Sequence, residues 1–290
     1  MSEFLMLMEQ IPALLYGTIT ILGLLVGSFL NVVIFRLPVM MERAWKSECA
    51  ECFPEANIKT ENDVFNLVLP RSRCPQCNHL IGSAENIPLI SWLFQKGRCK
   101  HCSCQISKRY PCIELLTGLM SLGVAYLLPF GWPLVFGLVF TWVLISLTFI
   151  DFDTMLLPDQ LTLPLLWLGL LINISGTFTG LTDAVLGAVF GYLSLWSVYW
   201  GFKLLTGKEG MGYGDFKLLA ALGAWFGWQA LPLIILISSF AGAIIGIAVL
   251  LASKDKKSRP IPFGPYLAIA GWIFLVYGQA VTEMYYNLVL

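Results

Sequence analysis

The chain has 290 residues, 57% of them hydrophobic and 12% charged, and its 18 basic and 18 acidic side chains cancel. So apolar a composition excludes an ordinary soluble domain of this size and describes an all-α polytopic membrane protein. The balanced charge gives no reason to expect a nucleic-acid partner.

Uncharged runs occupy residues 11–35, 115–150, 160–182, 184–202, 218–253 and 260–282, and a bilayer-spanning helix needs roughly 20 residues. The first run, within residues 1–35, reads as a transmembrane span. No basic residue precedes its apolar core and no small-residue cleavage site follows it, so it reads as a retained anchor rather than a cleaved signal. Two later runs are too long for one crossing. The run at 115–150 breaks at Pro129-Phe130-Gly131-Trp132-Pro133 and the run at 218–253 around Gly227 to Pro232. The expectation is therefore about eight spans, with residues 36–111 as a polar loop after the first and residues 112–290 as a seven-span domain.

The basic residues are unevenly placed. Eleven of the 18 lie between Arg36 and Arg109, three are Lys203, Lys208 and Lys217, and four are Lys254, Lys256, Lys257 and Arg259. With eight spans all of them fall on one side, and the positive-inside rule makes that side cytoplasmic and both termini external.

The loop at 36–111 carries most of the cysteines. Cys74-Pro-Gln-Cys77 and Cys99-Lys-His-Cys102 are two CxxC pairs separated by 21 residues, close to the spacing of a four-cysteine zinc ribbon. A loop on the reducing side of the membrane does not rely on disulfides. Four thiolates complete a closed tetrahedral site, which suits a structural metal. Cys49-Ala-Glu-Cys52 is a third pair, in an acidic stretch running to Asp63, and reads as an insertion without a matching partner. His79 and His101 flank the knuckles, as alternative ligands or as neighbours of the ligands.

Beyond the loop, two long apolar runs end in carboxylates. Asp151 lies in Ile-Asp-Phe-Asp-Thr-Met-Leu-Leu-Pro-Asp, and Asp215 closes Gly212-Tyr-Gly-Asp215. An ionisable group at the edge of an apolar run is expensive to hold and usually functional. Two such groups facing each other are the raw material of an aspartic protease. Asp153 and Asp159 compete with Asp151. On a helix Asp153 points about 200° away from Asp151, and Asp159 follows Pro158 where a helix N-cap belongs. Asp215 itself reads either as a site residue or as the N-cap of the sixth span. The two glycines before it favour the site, because glycine permits close backbone approach.

Taken in order, these motifs resemble the bacterial prepilin peptidases, the leader peptidase/N-methyltransferases of type IV pilus and type II secretion systems, which belong to the GxGD aspartic proteases. The resemblance covers Gly27-Ser-Phe-Leu-Asn-Val-Val-Ile-Phe-Arg-Leu-Pro38, the paired CxxC ribbon and Arg109-Tyr-Pro-Cys-Ile-Glu-Leu-Leu-Thr-Gly118. It continues through Asp151 to Asp159, the GxGD segment with Phe216 to Trp225, and Pro262-Phe-Gly-Pro265. It implies that Asp151 and Asp215 are the catalytic pair and that the substrates are the amino-terminal leaders of prepilins and pseudopilins. The setting it implies is the bacterial inner membrane, with the active site on the cytoplasmic face and the substrate's apolar helix in the lipid bilayer.

The resemblance further implies methylation of the new amino terminus from S-adenosylmethionine, with Arg36, Glu114 and Gly118 in the region of the methyl donor. No dinucleotide-type fingerprint supports that region independently. Cys104, Cys112 and the enlarged Cys49–Asp63 stretch depart from the family pattern and leave open which thiols bind zinc. A peptidase without methyltransferase activity is the narrower alternative. A proton-coupled transporter is the other class, and it calls for acids at mid-membrane depth and paired broken helices.

Overall fold

The computed structural model describes residues 2–61, 63–252 and 262–289. Among them the chain is helical, with two isolated bridges in place of any strand. It divides into two compact units, Met1–Phe130 and Gly131–Leu290.

In the first unit, α1 (Ser2–Gln10) leads into α2 (Pro12–Cys52), which Pro12 opens at a position where its missing N–H is no loss. The apolar run ends at Phe35, yet the helix continues through Pro38 to Cys52. Its last turns are polar and carry an i,i+4 pair between Lys46 and Glu42. The loop expected from residue 36 thus begins as helix. After it come the short α3 (Ile90–Phe94) and α4 (Arg109–Leu127). The two long helices meet on small residues: a Cβ on Gly23 would stand 2.6 Å from Ser121 Oγ, and one on Gly27 2.8 Å from the Cα of Glu114. A Gly-x-x-x-Gly stripe lets helix backbones approach where no hydrophobic effect drives them together.

The second unit holds α5 (Trp132–Thr154), α6 (Asp159–Ile172), α7 (Leu181–Thr206), α8 (Tyr213–Phe226), α9 (Leu231–Ala252) and α10 (Gly264–Val289). Its core is α8. Phe216, Leu218, Leu219, Leu222, Ala224 and Trp225 are fully buried, with α6, α7 and α10 packed around them. Trp225 donates its indole N–H to Leu165 O at 2.8 Å, and the buried Asn173 side chain donates to Ala224 O and Trp225 O at 2.9 and 3.0 Å. The helix stops at Phe226 because Gly227 adopts a φ of 84°, at the start of the break that the sequence suggests. Fourteen residues make about 21 Å of helix, less than a hydrocarbon core of roughly 30 Å.

Among the described residues five segments are long and apolar enough to cross a membrane: α2, α4, α5, α7 and Trp228–Ala248. Asp159–Ser175 and Gly264–Gly278 are shorter apolar helices, and α8 is sheathed by its neighbours. The expected breaks at 129–133 and 227–232 are both real turns. The basic residues Lys254, Lys256, Lys257 and Arg259 lie outside the described residues.

Candidate active site

Asp151 sits in the last turn of α5, whose end is set by Met155 in the left-handed conformation, its N–H donating to Asp151 O at 2.9 Å. The Asp151 side chain faces inward and is 4% exposed. Its Oδ2 accepts the backbone N–H of Gly264, the first residue of α10, at 3.0 Å. Asp215 lies in the first turn of α8 and is 8% exposed. The two carboxylates that end separate apolar runs thus lie buried on turns that share one neighbour, Leu157, which abuts both Gly214 and Gly264.

The turns around them are fitted closely. Leu157, in the α5–α6 corner, fills the space over two glycines: a Cβ on Gly214 would stand 2.7 Å from its Cβ, and one on Gly264 3.0 Å from its Cδ2. Gly212 is the N-cap of α8, with an ordinary φ of −83°. Of the two glycines in the motif, Gly214 is thus the one whose missing side chain is required. Tyr213 packs on Tyr199 and Phe216, with ring centroids 5.4 Å apart in each case, and seats the start of α8.

The competing aspartates are placed differently. Asp153 is exposed, on the other face of α5 from Asp151. Asp159 is not the N-cap of α6; Pro158 takes that position, and Asp159 opens the helix with its carboxylate against Lys217 Nζ at 2.7 and 2.8 Å. Lys217 follows Asp215 by two residues, so this pair ties the start of α6 to the start of α8. Neither it nor the Gly264 N–H carries a local sequence signal, since both join residues far apart in the chain.

In the first unit the loop cysteines form two matching knuckles. Cys74 N–H donates to His79 O at 2.9 Å, as Cys99 N–H does to Cys104 O at 2.8 Å. Asn78 and Ser103 take corresponding left-handed positions, with φ of 55° and 57°. Of the four expected ligands, Cys74, Cys99 and Cys102 lie with Cys104 in one group whose sulfurs are all within 4.8 Å of one another. Cys77 Sγ is 4.0 Å from Cys99 Sγ. Backbone N–H groups of Cys77 and Gln76 lower the Cys74 thiol to about 6. Cys102 and Cys74 push Cys104 up to about 12. Thiols crowded in this way suit a divalent cation that shares their charge. His79 and His101 stack on each other at 3.8 Å, with His79 Nε2 3.4 Å from Glu85. Cys49 and Cys52 belong to the last turn of α2, and Cys112 is exposed on α4.

Arg36, Glu114 and Gly118 do not converge on an open polar cradle. The Arg36 guanidinium donates to Asn66 O and Pro70 O at 2.8 and 2.6 Å, and Glu114 Oε2 accepts Leu89 N–H at 2.8 Å. A Cβ on Gly118 would stand 2.8 Å from Leu24 Cδ2. The first two hold the loop to α2 and α4, and the third lets those helices touch.

Comparisons with known proteins cover both units. A family model described as the type IV leader peptidase family matches residues 138–247, and one described as the bacterial peptidase A24 N-terminal domain matches residues 21–128. A prepilin leader peptidase/N-methyltransferase of Aeromonas salmonicida is 57% identical over 100% of both chains. Proteins of the same name from Stutzerimonas stutzeri and Pseudomonas aeruginosa are 59% and 58% identical, each over 91% of both chains. No solved structure matches the chain.

Proposed function

This chain belongs to the type IV leader peptidase family, and on that premise we propose that Asp151 and Asp215 are the catalytic pair of a prepilin leader peptidase that also N-methylates its product. The observation that carries the reading is that two buried carboxylates, at the end of α5 and the start of α8, lie on turns that share Leu157, which packs over Gly214 beside Asp215 and over Gly264, the donor to Asp151.

Two carboxyl groups so placed hold one proton between them more cheaply than two charges. The ionised member takes a proton from a water that attacks the scissile amide. The protonated member stabilises the developing oxyanion and assists departure of the amine, and no covalent intermediate is needed. Asp151 fits the ionised role, because an N–H donor such as Gly264 bonds more strongly to a charged oxygen. Lys203, Lys208 and Lys217 mark the site's end of the second unit as cytoplasmic under the positive-inside rule. A basic leader then reaches the acids from the cytoplasm while the apolar helix behind the scissile bond stays in lipid, in an inner-membrane protein with periplasmic termini.

S-adenosylmethionine supplies an electrophilic methyl group for the second activity when bound. Arg36, Glu114 and Gly118 do not fit a direct contact with it, since their polar groups and surfaces are already engaged; the first two support the loop and Gly118 lets α2 and α4 pack. Cys74, Cys77, Cys99 and Cys102 would hold one zinc as a structural ion. Purified protein incubated with a prepilin and labelled S-adenosylmethionine should shorten the prepilin and transfer label to it. Leader loss without label would leave the narrower, peptidase-only reading standing, and an uncut prepilin would refute both.

A further inference from the structure

The zinc ribbon contains one thiol more than a tetrahedral site takes. In a four-thiolate zinc site with bonds of about 2.3 Å, neighbouring sulfurs stand about 3.8 Å apart. Three sulfur pairs in the loop lie near that value: Cys74 to Cys102 at 3.7 Å, Cys77 to Cys99 at 4.0 Å and Cys74 to Cys104 at 3.4 Å. Together they involve five cysteines. Cys77 also interacts with Cys74 and Cys102, so it belongs to the same cluster even though the mutually close group contains Cys104 instead.

The two knuckles explain how the fifth thiol arrives. Position 104 in the second knuckle matches position 79 in the first, each offering its backbone carbonyl to the first cysteine of its own CxxC. In the first knuckle that position is His79, turned toward His101 and Glu85. In the second it is a cysteine whose side chain points at Cys74. Cys74, Cys99 and Cys102 are common to both sets of four. The fourth place is contested between Cys77, which is exposed, and Cys104, which is half-buried.

Resting on the reading of this loop as a metal site, we propose that Cys77 and Cys104 are interchangeable fourth ligands, so that the bound metal always leaves one of the two thiols free. Cobalt(II) is the probe, since its sulfur charge-transfer absorption reports the number of bound thiolates and its ligand-field bands report tetrahedral geometry.

The full-length protein, exchanged with cobalt in detergent, is expected to bind one ion with four-thiolate intensity. Cys77→Ser and Cys104→Ser should each keep that intensity, and the Cys77→Ser/Cys104→Ser double variant should lose about a quarter of it, one thiolate of four. A loss of that size in Cys77→Ser alone, or an undiminished double variant, overturns the exchange. Wild-type protein that takes up no cobalt removes the metal site itself. Alkylation of the metal-loaded wild type, mapped by mass spectrometry, provides a measurement that needs no variant. Label divided between Cys77 and Cys104, with Cys74, Cys99 and Cys102 protected, is the expected result, and label confined to either one of the pair refutes the proposal.

Discussion

The backbone N–H of Gly264 lies 3.0 Å from Oδ2 of Asp151, and a methyl group on Gly264 would stand 2.5 Å from that same oxygen. The residue is a donor because it opens α10, and it comes this close because it has no side chain. Gly264→Ala should therefore displace the Asp151 carboxylate while leaving both aspartates in place. A misplacement of about 1 Å at a reacting group lowers turnover on the order of 100-fold. The expected outcome is a loss in kcat with KM for a prepilin little changed. A variant with wild-type turnover would show that the contact does not position the acid.

Asp151→Asn and Asp215→Asn should each abolish leader cleavage, because a carboxamide can serve neither as general base nor as general acid. Positioned acid–base groups contribute on the order of 100- to 10,000-fold, so residual activity should lie near the detection limit. Asp153→Asn, at an exposed position, should cleave normally. Cleavage assays on membranes with matched protein levels decide it. Full activity in either of the first two variants breaks the pair, and loss in the third moves the role to Asp153.

Much of the candidate site was legible in the sequence, and the reason is physical. Asp151 and Asp215 stood out because a carboxylate at the edge of an apolar run needs an explanation, and the breaks at Gly131 and Gly227 because proline and glycine interrupt helices. What periodicity does not carry is pairing across the chain. Gly264 reaches Asp151 over 113 positions and Lys217 reaches Asp159 over 58, so the Asp159 carboxylate read locally as a cap. The continuation of α2 to Cys52 was hidden for the opposite reason: polar residues end an apolar run without ending a helix. Cys104 was visible as an added cysteine, but only the matching of the two knuckles shows that it points at Cys74.

The Asp159–Lys217 pair is partly exposed, with Asp159 at 51% and Lys217 at 28%, so its effect on stability should be at most about 1 kcal/mol. Its larger effect should be on geometry, since it joins the corner carrying Leu157 to the helix carrying Asp215. Lys217→Ala is expected to lower kcat with little change in thermal midpoint. Exchanging the charges in Asp159→Lys/Lys217→Asp should recover part of the loss. A double variant no better than the single one would mean that the lysine acts some other way.

Cys74→Ser/Cys99→Ser removes two of the three thiols common to both ligand sets and leaves too few for a closed site. Metal analysis of the purified variant should find the zinc lost. Undiminished zinc would direct attention to Cys49, Cys52 and the histidines instead.

The same double variant separates the two activities. The ribbon lies in the polar segment between α2 and α4, whereas both aspartates belong to later helices that form a compact unit of their own. Collapse of the ribbon should therefore reach methyl transfer more directly than peptide hydrolysis, with a smaller cleavage loss expected on the proposal that the loop also positions the leader. Supplying already cleaved pilin to the methylation assay makes that measurement independent of proteolysis. The expected pattern is methylation reduced at least about tenfold, a barrier increase of about 1.4 kcal/mol, with cleavage reduced less. If methylation holds at the wild-type level while cleavage fails, the ribbon delivers substrate to the aspartates and the methyl donor binds elsewhere in the protein.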